Sequence, residues 1–385
     1  MHTKNNPTIK ITKLHIKNFL SLENIEIELN KLNVLIGPNA SGKSNITKAL
    51  QLLKNHAKQG IPTLPGYRNF KDITYNFDPT NNITIKIEAN INNHNTQYTL
   101  TLTADNYIEQ AWIDNKEALQ CDGRTLETRI LTQNGTMRTI HSRTSTSSNL
   151  YRGIYKSILT TLPNDATKEL HLLAQTLRTI TIHSFTPERI RARSSITAEP
   201  SLGYHGDNLA RILLYLYLEN RKAFVNIEDT TKNLIPEIQE IIPHLEGTNV
   251  EIWLRTQELK EPLKPANISD GTLRILAYIT ALHSNTSLAA FEEPENCIHP
   301  HLLETLIDLA RKAPCQVIIT THSPYLLDHI KPEEVYLVQK PKTATIVKKL
   351  TKTKELQAVK QFLEQGGTLG EAWYSGLIGA TPETP

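Results

Sequence analysis

Hydrophobic and polar residues alternate along the start of the chain in the pattern of β-strands. Ile9 to Lys17 and Ile25 to Leu29 both have this period of two, so one face of each segment turns towards a core. The short apolar run Leu32 to Ile36 has the size of a buried strand. Beyond residue 44 the apolar residues instead recur at helical spacing: Ile46, Ala49, Leu50 and Leu53. These patterns predict three strands followed by a helix.

Period-two alternation returns after this helix. It is found at Asp72 to Asn76, Ile83 to Ile91 and Tyr98 to Thr103. Asn93-His94-Asn95 has the residue types of a hairpin turn between the last two segments. The stretch therefore predicts an antiparallel β layer.

The middle of the chain is predicted to be mainly helical. Residues 143–149 are rich in Ser and Thr and have the composition of a linker. The clearest amphipathic helix contains Leu209, Ile212, Leu213, Leu216 and Leu218. Gly206-Asp207-Asn208 is a start signal for it. Val250 to Leu254 alternates again and predicts one strand.

From residue 268 the pattern returns to alternating helices and strands. Helices are predicted at 271–283 and near 301–311, and Ser323-Pro324 has the residue types that begin another. Strands are predicted in four segments: Leu288 to Phe291, Val317 to Thr320, Val335 to Val338 and Thr343 to Val347. The order predicts an α/β architecture.

The most informative motif is a complete G-x-x-x-x-G-K-S sequence between a predicted strand and a predicted helix. Glycines let backbone amides close around phosphate oxygens, and the helix directs its positive end at the anion. Lys43 adds a point charge for the β- and γ-phosphates, and the Ser44 hydroxyl reaches Mg²⁺. The predicted nucleotide-binding residues are Gly37, Pro38, Asn39, Ala40, Ser41, Gly42, Lys43, Ser44 and Asn45.

Two further segments carry polar groups at the ends of apolar strands. Glu292 and Glu293 follow Leu288 to Phe291, an arrangement that suits one carboxylate on Mg²⁺ and one that polarises the attacking water. His322 follows the strand of residues 317–320, where a neutral imidazole can hydrogen-bond the γ-phosphate. Ser269-Asp270-Gly271-Thr272 opens the helix before Glu292. This loop either contacts a phosphate or is ordinary turn and N-cap chemistry.

The order of these parts resembles the ABC-type ATPases of the RecF/SMC-like branch and its stand-alone predicted AAA-family relatives, an OLD-like ATPase without the nuclease domain. Residues 14–22, Leu-His-Ile-Lys-Asn-Phe-Leu-Ser-Leu, resemble that branch's N-terminus, and residues 369–376, Leu-Gly-Glu-Ala-Trp-Tyr-Ser-Gly, resemble stand-alone members. The likeness is strong at 9–50 and 266–330 and faint across 60–180. It implies a P-loop NTPase fold: an ABC-type ATPase head with an antiparallel β layer and an inserted helical lobe.

The resemblance also implies a division into domains and roles. The N-terminal ATPase lobe is expected at 1–142, a mainly helical insertion at 150–265, a C-terminal ATPase lobe at 266–350 and a tail at 351–385. Lys43 and Ser44 would bind phosphate and Mg²⁺, Glu292 would be the Walker B carboxylate, Glu293 the catalytic base and His322 the switch histidine. The signature that contacts ATP on a partner subunit would be Ser269, Gly271 and Thr272.

Three features depart from the family pattern. Glu292 replaces the usual Asp, and its extra methylene shifts the metal or interposes a water. The signature is Ser-Asp-Gly-Thr rather than Ser-Gly-Gly-Gln. A convincing Q-loop glutamine after the first helix is missing.

The composition of the chain bears on its binding partners and on the cellular compartment in which it is expected to act. The 385 residues carry a net charge of only +3, which is no argument for nucleic-acid binding across the whole surface. Cys121, Cys297 and Cys315 have neither disulfide nor zinc spacing and fit reduced thiols in a cytosol. A polar N-terminus without an apolar signal region and the lack of an 18-residue apolar run predict a cytoplasmic protein that does not span a membrane.

These observations favour an ATPase that uses ATP and Mg²⁺, forms an ATP-sandwiched homodimer and acts in DNA maintenance or anti-phage defence. The alternatives are the ATPase subunit of a transporter, disfavoured by the signature and the β layer, and a regulatory partner of a separate nuclease or toxin. Too few residues follow His322 for an OLD-type nuclease domain.

The candidate partners are DNA and a separate effector protein. The DNA candidates are basic residues, although such runs are usually solvated faces: Arg189, Arg191, Arg193, Lys340, Lys342, Lys348, Lys349, Lys352 and Lys354. His299-Pro300-His301 is interpreted as a helix entry rather than a zinc site.

Overall fold

The computed structural model describes residues 9–59, 64–125, 127–141, 157–196 and 201–379. Within these ranges the chain forms two compact units, the first covering 9–180 and 336–353 and the second 181–335 and 354–379. The linker predicted at 143–149 lies outside the described residues. The four domain boundaries derived from the sequence remain predictions.

Both units contain strands and helices. The strands are β1 (Ile9–Phe19), β2 (Leu22–Glu28), β3 (Leu32–Ile36), β4 (Ile83–Ile91), β5 (His94–Leu102), β6 (Tyr107–Ile113), β7 (Lys116–Asp122), β8 (Glu127–Leu131), β9 (Met137–His141), β10 (Thr181–His183), β11 (Ser194–Ser195), β12 (Ile238–Glu246), β13 (Asn249–Thr256), β14 (Leu288–Glu292), β15 (Gln316–Thr321), β16 (Val335–Gln339) and β17 (Ile346–Lys349). The helices are α1 (Lys43–Gln59), α2 (Lys168–Arg178), α3 (Pro187–Ile190), α4 (Leu209–Glu219), α5 (Arg221–Leu234), α6 (Asp270–Leu282), α7 (Leu303–Lys312), α8 (Pro324–Leu327), α9 (Leu356–Glu364) and α10 (Leu369–Tyr374).

An eight-stranded antiparallel sheet dominates the first unit, in the order β2-β1-β4-β5-β6-β7-β8-β9. The predicted β layer is confirmed, and four strands that the sequence did not reveal, β6 to β9, extend it. In β4 every second residue is buried, so the period of two sets the inner face directly. The hairpin between β4 and β5 turns at Asn92 and Asn93, both with positive φ, slightly earlier than predicted.

The strand predicted at Asp72 to Asn76 is wrong. This segment forms two short 3-10 turns, Phe70–Ile73 and Tyr75–Phe77, the first held by hydrogen bonds from Asn69 to the Asp72 carboxylate. Asn76 and Phe77 both adopt positive φ, which a strand excludes. The alternation of apolar and polar residues from Asp72 to Asn76 therefore comes from two turns and not from a strand.

The nucleotide motif lies in the first unit, between a buried strand and a long helix. All five residues of β3 are buried, and β3 lies beside β16, which pairs with β17. The predicted helix is confirmed as α1, whose apolar face packs against α2 and β1. On this face, His56 and Glu109 of β6 form a fully buried ion pair that joins helix and sheet.

The second unit contains three parallel strands, in the order β10-β14-β15. The strands β14 and β15 and the helices α6 and α7 confirm the predicted α/β pattern. The helix predicted from Leu209 is confirmed as α4, and α4 and α5 pack against the small sheet β11-β13-β12. Ser323 is the N-cap of α8, although its side chain makes no capping hydrogen bond.

No helix in the described ranges combines the length and apolar character that crossing a bilayer requires. Among the described residues, Cys121, Cys297 and Cys315 are not joined in disulfides.

Candidate functional site

The phosphate loop is folded around the ammonium group of Lys43. Its Nζ donates to the carbonyl oxygens of Gly37 at 2.7 Å and Pro38 at 2.9 Å. The Lys43 side chain is almost fully buried, whereas Ser44 and the loop tip at Asn39 and Ala40 are exposed. A buried charge needs such acceptors to offset its lost hydration. The loop is therefore wrapped around the Lys43 ammonium group, which places a cation at the start of α1.

Two glycines in this loop are fixed by close packing. A Cβ on Gly37 would lie 2.0 Å from the carbonyl oxygen of Val338. Gly42 has a φ of +105°, and a Cβ there would lie 2.1 Å from Oγ1 of Thr345. Any larger residue at either position must displace backbone or a buried side chain. The glycines of the motif are thus required by the fold of the first unit as well as by a ligand.

Ser21 and Thr345 brace the loop, and sequence reasoning assigned neither of them to the site. Their hydroxyls lie 2.6 Å apart, and Thr345 Oγ1 donates to the carbonyl oxygen of Ser41 at 2.9 Å. Asn45 Nδ2 donates to Ser21 Oγ at 2.7 Å. The only sequence signal for Ser21 was its place in the N-terminal resemblance. Thr345 had none beyond a predicted strand.

A cleft of about 630 Å³ opens beside the loop within the first unit. Ser21 and Asn45 lie on its wall, as do the aromatic side chains of Tyr67 and Phe77. Phe77 is 72% exposed, so its ring is available for contact. The cleft has the size of a small-molecule site and combines apolar and polar walls.

In the second unit, Glu292 ends β14 opposite Thr320 of β15. Its Oε2 accepts a hydrogen bond from the hydroxyl of Tyr204 at 3.0 Å. Burial raises the pKa of the Tyr204 hydroxyl, and the neighbouring Glu292 carboxylate raises this pKa further. Tyr204 thus remains a hydrogen-bond donor at neutral pH. It was not identified from the sequence.

Glu293 and His322 meet at the carboxyl ends of β14 and β15. His322 Nδ1 lies 2.9 Å from Glu293 Oε1, and Asn296 Nδ2 donates to Glu293 Oε2 at 3.0 Å. The backbone of Glu293 has a φ of 47°, and its amide donates to the carbonyl oxygen of Thr320. A left-handed conformation is unfavourable for a glutamate, and such strain is concentrated at functional sites. The turn directs the carboxylate towards His322.

Glu295 lies beneath this pair. Its side chain is buried, Thr321 donates a hydrogen bond to Oε1, and Oε2 has no partner among the described residues. Burial raises the pKa of the Glu295 carboxyl, because the charged form loses hydration. The hydrogen bond joins the turn after β14 to the end of β15.

The predicted signature loop lies at the start of α6. Ser269 is the N-cap, its Oγ accepting from the Thr272 amide at 3.1 Å and donating to Thr272 Oγ1 at 2.8 Å. A Cβ on Gly271 would lie 2.6 Å from the carbonyl oxygen of Cys297, so the loop packs against the segment that follows Glu293. Arg191 binds the Asp270 carboxylate and the Ile268 carbonyl oxygen from the other side.

The structure thus brings the predicted residues together in two groups. The group in the first unit comprises Gly37, Pro38, Asn39, Ala40, Ser41, Gly42, Lys43, Ser44 and Asn45. The group in the second unit comprises Ser269, Gly271, Thr272, Glu292, Glu293 and His322.

The part of the chain that contains these residues matches the model of a known protein family. Residues 32–328, more than half of the chain, match the family model described as "AAA domain, putative AbiEii toxin, Type IV TA system". The chain belongs to this AAA-domain family. The matched span includes the phosphate loop, both glutamates and His322.

One relative of this AAA-domain chain is a protein named as a nuclease. The OLD nuclease of Thermus scotoductus is 24% identical over 367 residues, which are 88% of this chain and 63% of that protein. The chain therefore spans less than two thirds of that relative's length.

Solved structures show the fold. An Smc head domain bound to the C-terminal domain of ScpA, from Pyrococcus furiosus, has a TM-score of 0.55 at 13% identity and covers 93% of this chain and 99% of that one. An SmcHead bound to the C-winged helix domain of ScpA has a TM-score of 0.50 at 14% identity, with 90% and 99% covered. The predicted α/β P-loop NTPase fold with an antiparallel β layer is confirmed.

The AAA-domain family implies a nucleotide with Mg²⁺, and the residues present fit both. The exposed Ser44 hydroxyl and the Glu292 carboxylate are hard oxygen ligands, as Mg²⁺ prefers. The described residues include no group of three or more His, Cys, Asp or Glu side chains suited to hold a metal ion.

Several basic residues proposed for DNA contact have partners within their own unit. Arg193 binds Glu246 at 2.7 Å and Glu251 at 2.6 Å. Lys352 binds Glu28 at 2.9 Å. Lys340 and Lys342 line the cleft of the first unit. A DNA-binding role for these residues remains a prediction. His299, by contrast, is the N-cap of the turn that precedes α7, which agrees with a helix entry.

Proposed function

We propose that this chain binds ATP with Mg²⁺ and hydrolyses it. In this proposal, Lys43 and the loop amides hold the β- and γ-phosphates, and Ser44 and Glu292 hold the metal ion. The metal supplies charge neutralisation at the phosphates. The closed loop around Lys43 supports the binding part, since the cation is already in place beside the amides that would contact phosphate.

The cleft beside the loop would hold the nucleoside. Asn45 belongs to the phosphate-loop motif and also lines the cleft together with Ser21, so the cleft begins beside the loop. Tyr67 and Phe77 offer aromatic faces on which a base can stack.

The observation that carries the hydrolysis part is the pair formed by Glu293 and His322. Glu293 Oε2 accepts from Asn296 and Oε1 lies beside the imidazole, so the carboxylate is held by two side chains. A carboxylate fixed in this way is suited to accept a proton from the attacking water. His322 would then report the state of the γ-phosphate to Glu293 through their hydrogen bond.

We further propose ATP-dependent homodimerisation coupled to DNA maintenance or anti-phage defence, with the regulation of a separate nuclease or toxin as the second candidate. The support is the likeness to Smc heads and to a protein named as a nuclease. The transporter alternative has no observation in its favour.

Glu293→Gln tests the hydrolysis proposal. An amide of the same shape cannot take the proton of the attacking water, so ATP should still bind while turnover falls at least about 100-fold. The measurement is a single-turnover assay with labelled ATP, beside equilibrium binding of the same nucleotide.

Glu304→Gln is the matched control, because Glu304 is an exposed glutamate on α7 of the same unit. It should leave turnover unchanged. Normal hydrolysis by Glu293→Gln together with loss in Glu292→Gln would reverse the two roles. Failure of the wild-type protein to bind ATP would refute the proposal as a whole.

A further inference from the structure

Tyr204 contacts the candidate metal ligand from a segment that lies outside the phosphate loop, the acidic strand and the signature loop. Its hydroxyl donates to Glu292 Oε2 at 3.0 Å across 88 positions of sequence. The residue is 40% exposed, so a packed core alone does not explain its position. The hydrogen bond between Tyr204 and Glu292 therefore calls for an explanation other than core packing.

The backbone around Tyr204 is tied to the strand that neighbours β14. The Ser184 amide donates to the Tyr204 carbonyl oxygen at 2.8 Å, and the Thr186 amide donates to that of His205 at 3.1 Å. Ser184 directly follows β10, and β10 pairs with β14 in register. The tyrosine is therefore fixed relative to the end of the strand that carries Glu292.

Two glycines flank this tie and allow the chain to pass close to its neighbours. Gly206 has a φ of +77°, and a Cβ there would lie 2.9 Å from a side-chain carbon of Ile190. The amide of Gly203 donates to Asn208 Oδ1 at 2.7 Å. The ring of Tyr204 also meets that of His205 edge to face, with centroids 4.7 Å apart. Its hydroxyl is thus held in place by backbone and ring contacts together.

Glu292 has a property that makes such a contact necessary. It has one more methylene than the aspartate usual at this position, and hence one more rotatable bond to fix before it can hold a metal ion. Groups that hydrogen-bond a metal ligand fix its orientation and affinity. We propose that Tyr204 is a positioning residue that holds the Glu292 carboxylate in its metal-binding orientation.

This inference rests on the proposed function, because it assumes that Glu292 holds the metal of a bound nucleotide.

Tyr204→Phe tests the proposal, since it removes the hydroxyl and keeps the ring. Mn²⁺ binding to the protein with a non-hydrolysable ATP analogue is followed by electron paramagnetic resonance. We expect about tenfold weaker Mn²⁺ affinity. Binding of the analogue without metal should be unchanged, which a merely structural defect would not produce.

Two further variants sharpen the test. Tyr215→Phe is the control, because Tyr215 is a half-exposed tyrosine of α4 in the same unit. It should bind Mn²⁺ like the wild type. Glu292→Asp shortens the side chain, so the Tyr204 hydroxyl no longer reaches it. Adding Tyr204→Phe to Glu292→Asp should then change Mn²⁺ affinity less than twofold.

The possible results separate this inference from the proposed function. A wild-type protein that binds Mn²⁺ with the analogue while Tyr204→Phe binds it equally or more tightly would overturn the role of Tyr204 alone. Tenfold losses that persist in the Glu292→Asp background would also overturn it. A wild-type protein that binds no Mn²⁺ with the analogue would refute both.

Discussion

Lys43 is a buried cation whose partners are the backbone of its own loop. Because Gly37 and Pro38 accept its hydrogens, the loop is held in a form that a phosphate group can enter by taking over these contacts. The same lysine thus stabilises the loop and is expected to bind the nucleotide.

We predict that Lys43→Ala weakens ATP binding about 100-fold. Hydrogen bonds from a charged group contribute roughly 3 kcal/mol to binding, and the loss of this contribution corresponds to that change in affinity. Equilibrium binding of a labelled ATP analogue measures it. Lys58→Ala, which removes an exposed lysine near the other end of α1, is the control and should bind normally. Unchanged affinity in a folded Lys43→Ala protein would contradict the assignment of the phosphate loop.

At the level of elements, α1 is joined to the antiparallel sheet by a buried hydrogen bond between polar side chains as well as by apolar packing. His56 and Glu109 are both fully buried, and the ring of Tyr107 meets that of His56 edge to face at 5.3 Å. Within the part of the chain that the structure describes, His56 Nδ1 and Glu109 Oε2 have no hydrogen-bond partner. Removing one member leaves the other as an uncompensated polar group inside the unit.

His56→Leu is therefore predicted to lower the free energy of unfolding by about 3–5 kcal/mol. Combining it with Glu109→Leu should recover most of this loss, because apolar residues then replace both partners and no buried polar group is left without its partner. Chemical denaturation measures both variants. The exposed pair of His94 and Asp114 is the control, and His94→Leu should have a much smaller effect. A double variant as unstable as the single one would show that packing, not charge, is responsible.

The elements also show how far the sequence could predict this fold. Short-range patterns were sufficient for β1 to β5, α1, α4 and the strands β13 to β16. In β6 the inward positions include Glu109, and in β9 most residues are exposed, so neither strand has a clean apolar face. A pattern of hydrophobicity cannot reveal such strands, because neighbouring strands rather than their own residues place them.

The residues of the candidate site also divide into those that the sequence could predict and those that it could not. Lys43, Glu292, Glu293 and His322 follow recognisable local sequences. Ser21, Thr345 and Tyr204 act through hydrogen bonds that join distant parts of the chain, and no local pattern indicates such contacts.

At the level of the whole molecule, the predicted chemistry is divided between two compact units. The first contains the phosphate loop, and the second contains the acidic pair, His322 and the signature loop. A homodimer of two-fold symmetry would form two equivalent nucleotide sites at once, each completed by the Ser269 loop of the other chain.

We predict that Glu293→Gln accumulates as a dimer at saturating ATP, because the nucleotide is retained between the chains. Ser269→Arg, which places a large charge in the expected interface, should bind ATP but neither dimerise nor turn over. Light scattering with and without ATP measures both, with a thermal melt to verify folding. Ser195→Arg, at an exposed position of β11, is the control and should dimerise normally. A Glu293→Gln protein that stays monomeric would count against the sandwich.

The brace between Thr345 and the phosphate loop has a consequence for the order of events on the ribosome. Ser41 is synthesised 304 residues before Thr345. At about 5–20 residues per second, the loop leaves the ribosome roughly 15–60 s before the residue that holds it. During this time Gly42 lacks the side chain that packs against it. A nascent chain therefore lacks the Thr345 brace on its phosphate loop until residues 181–335 of the second unit have been synthesised.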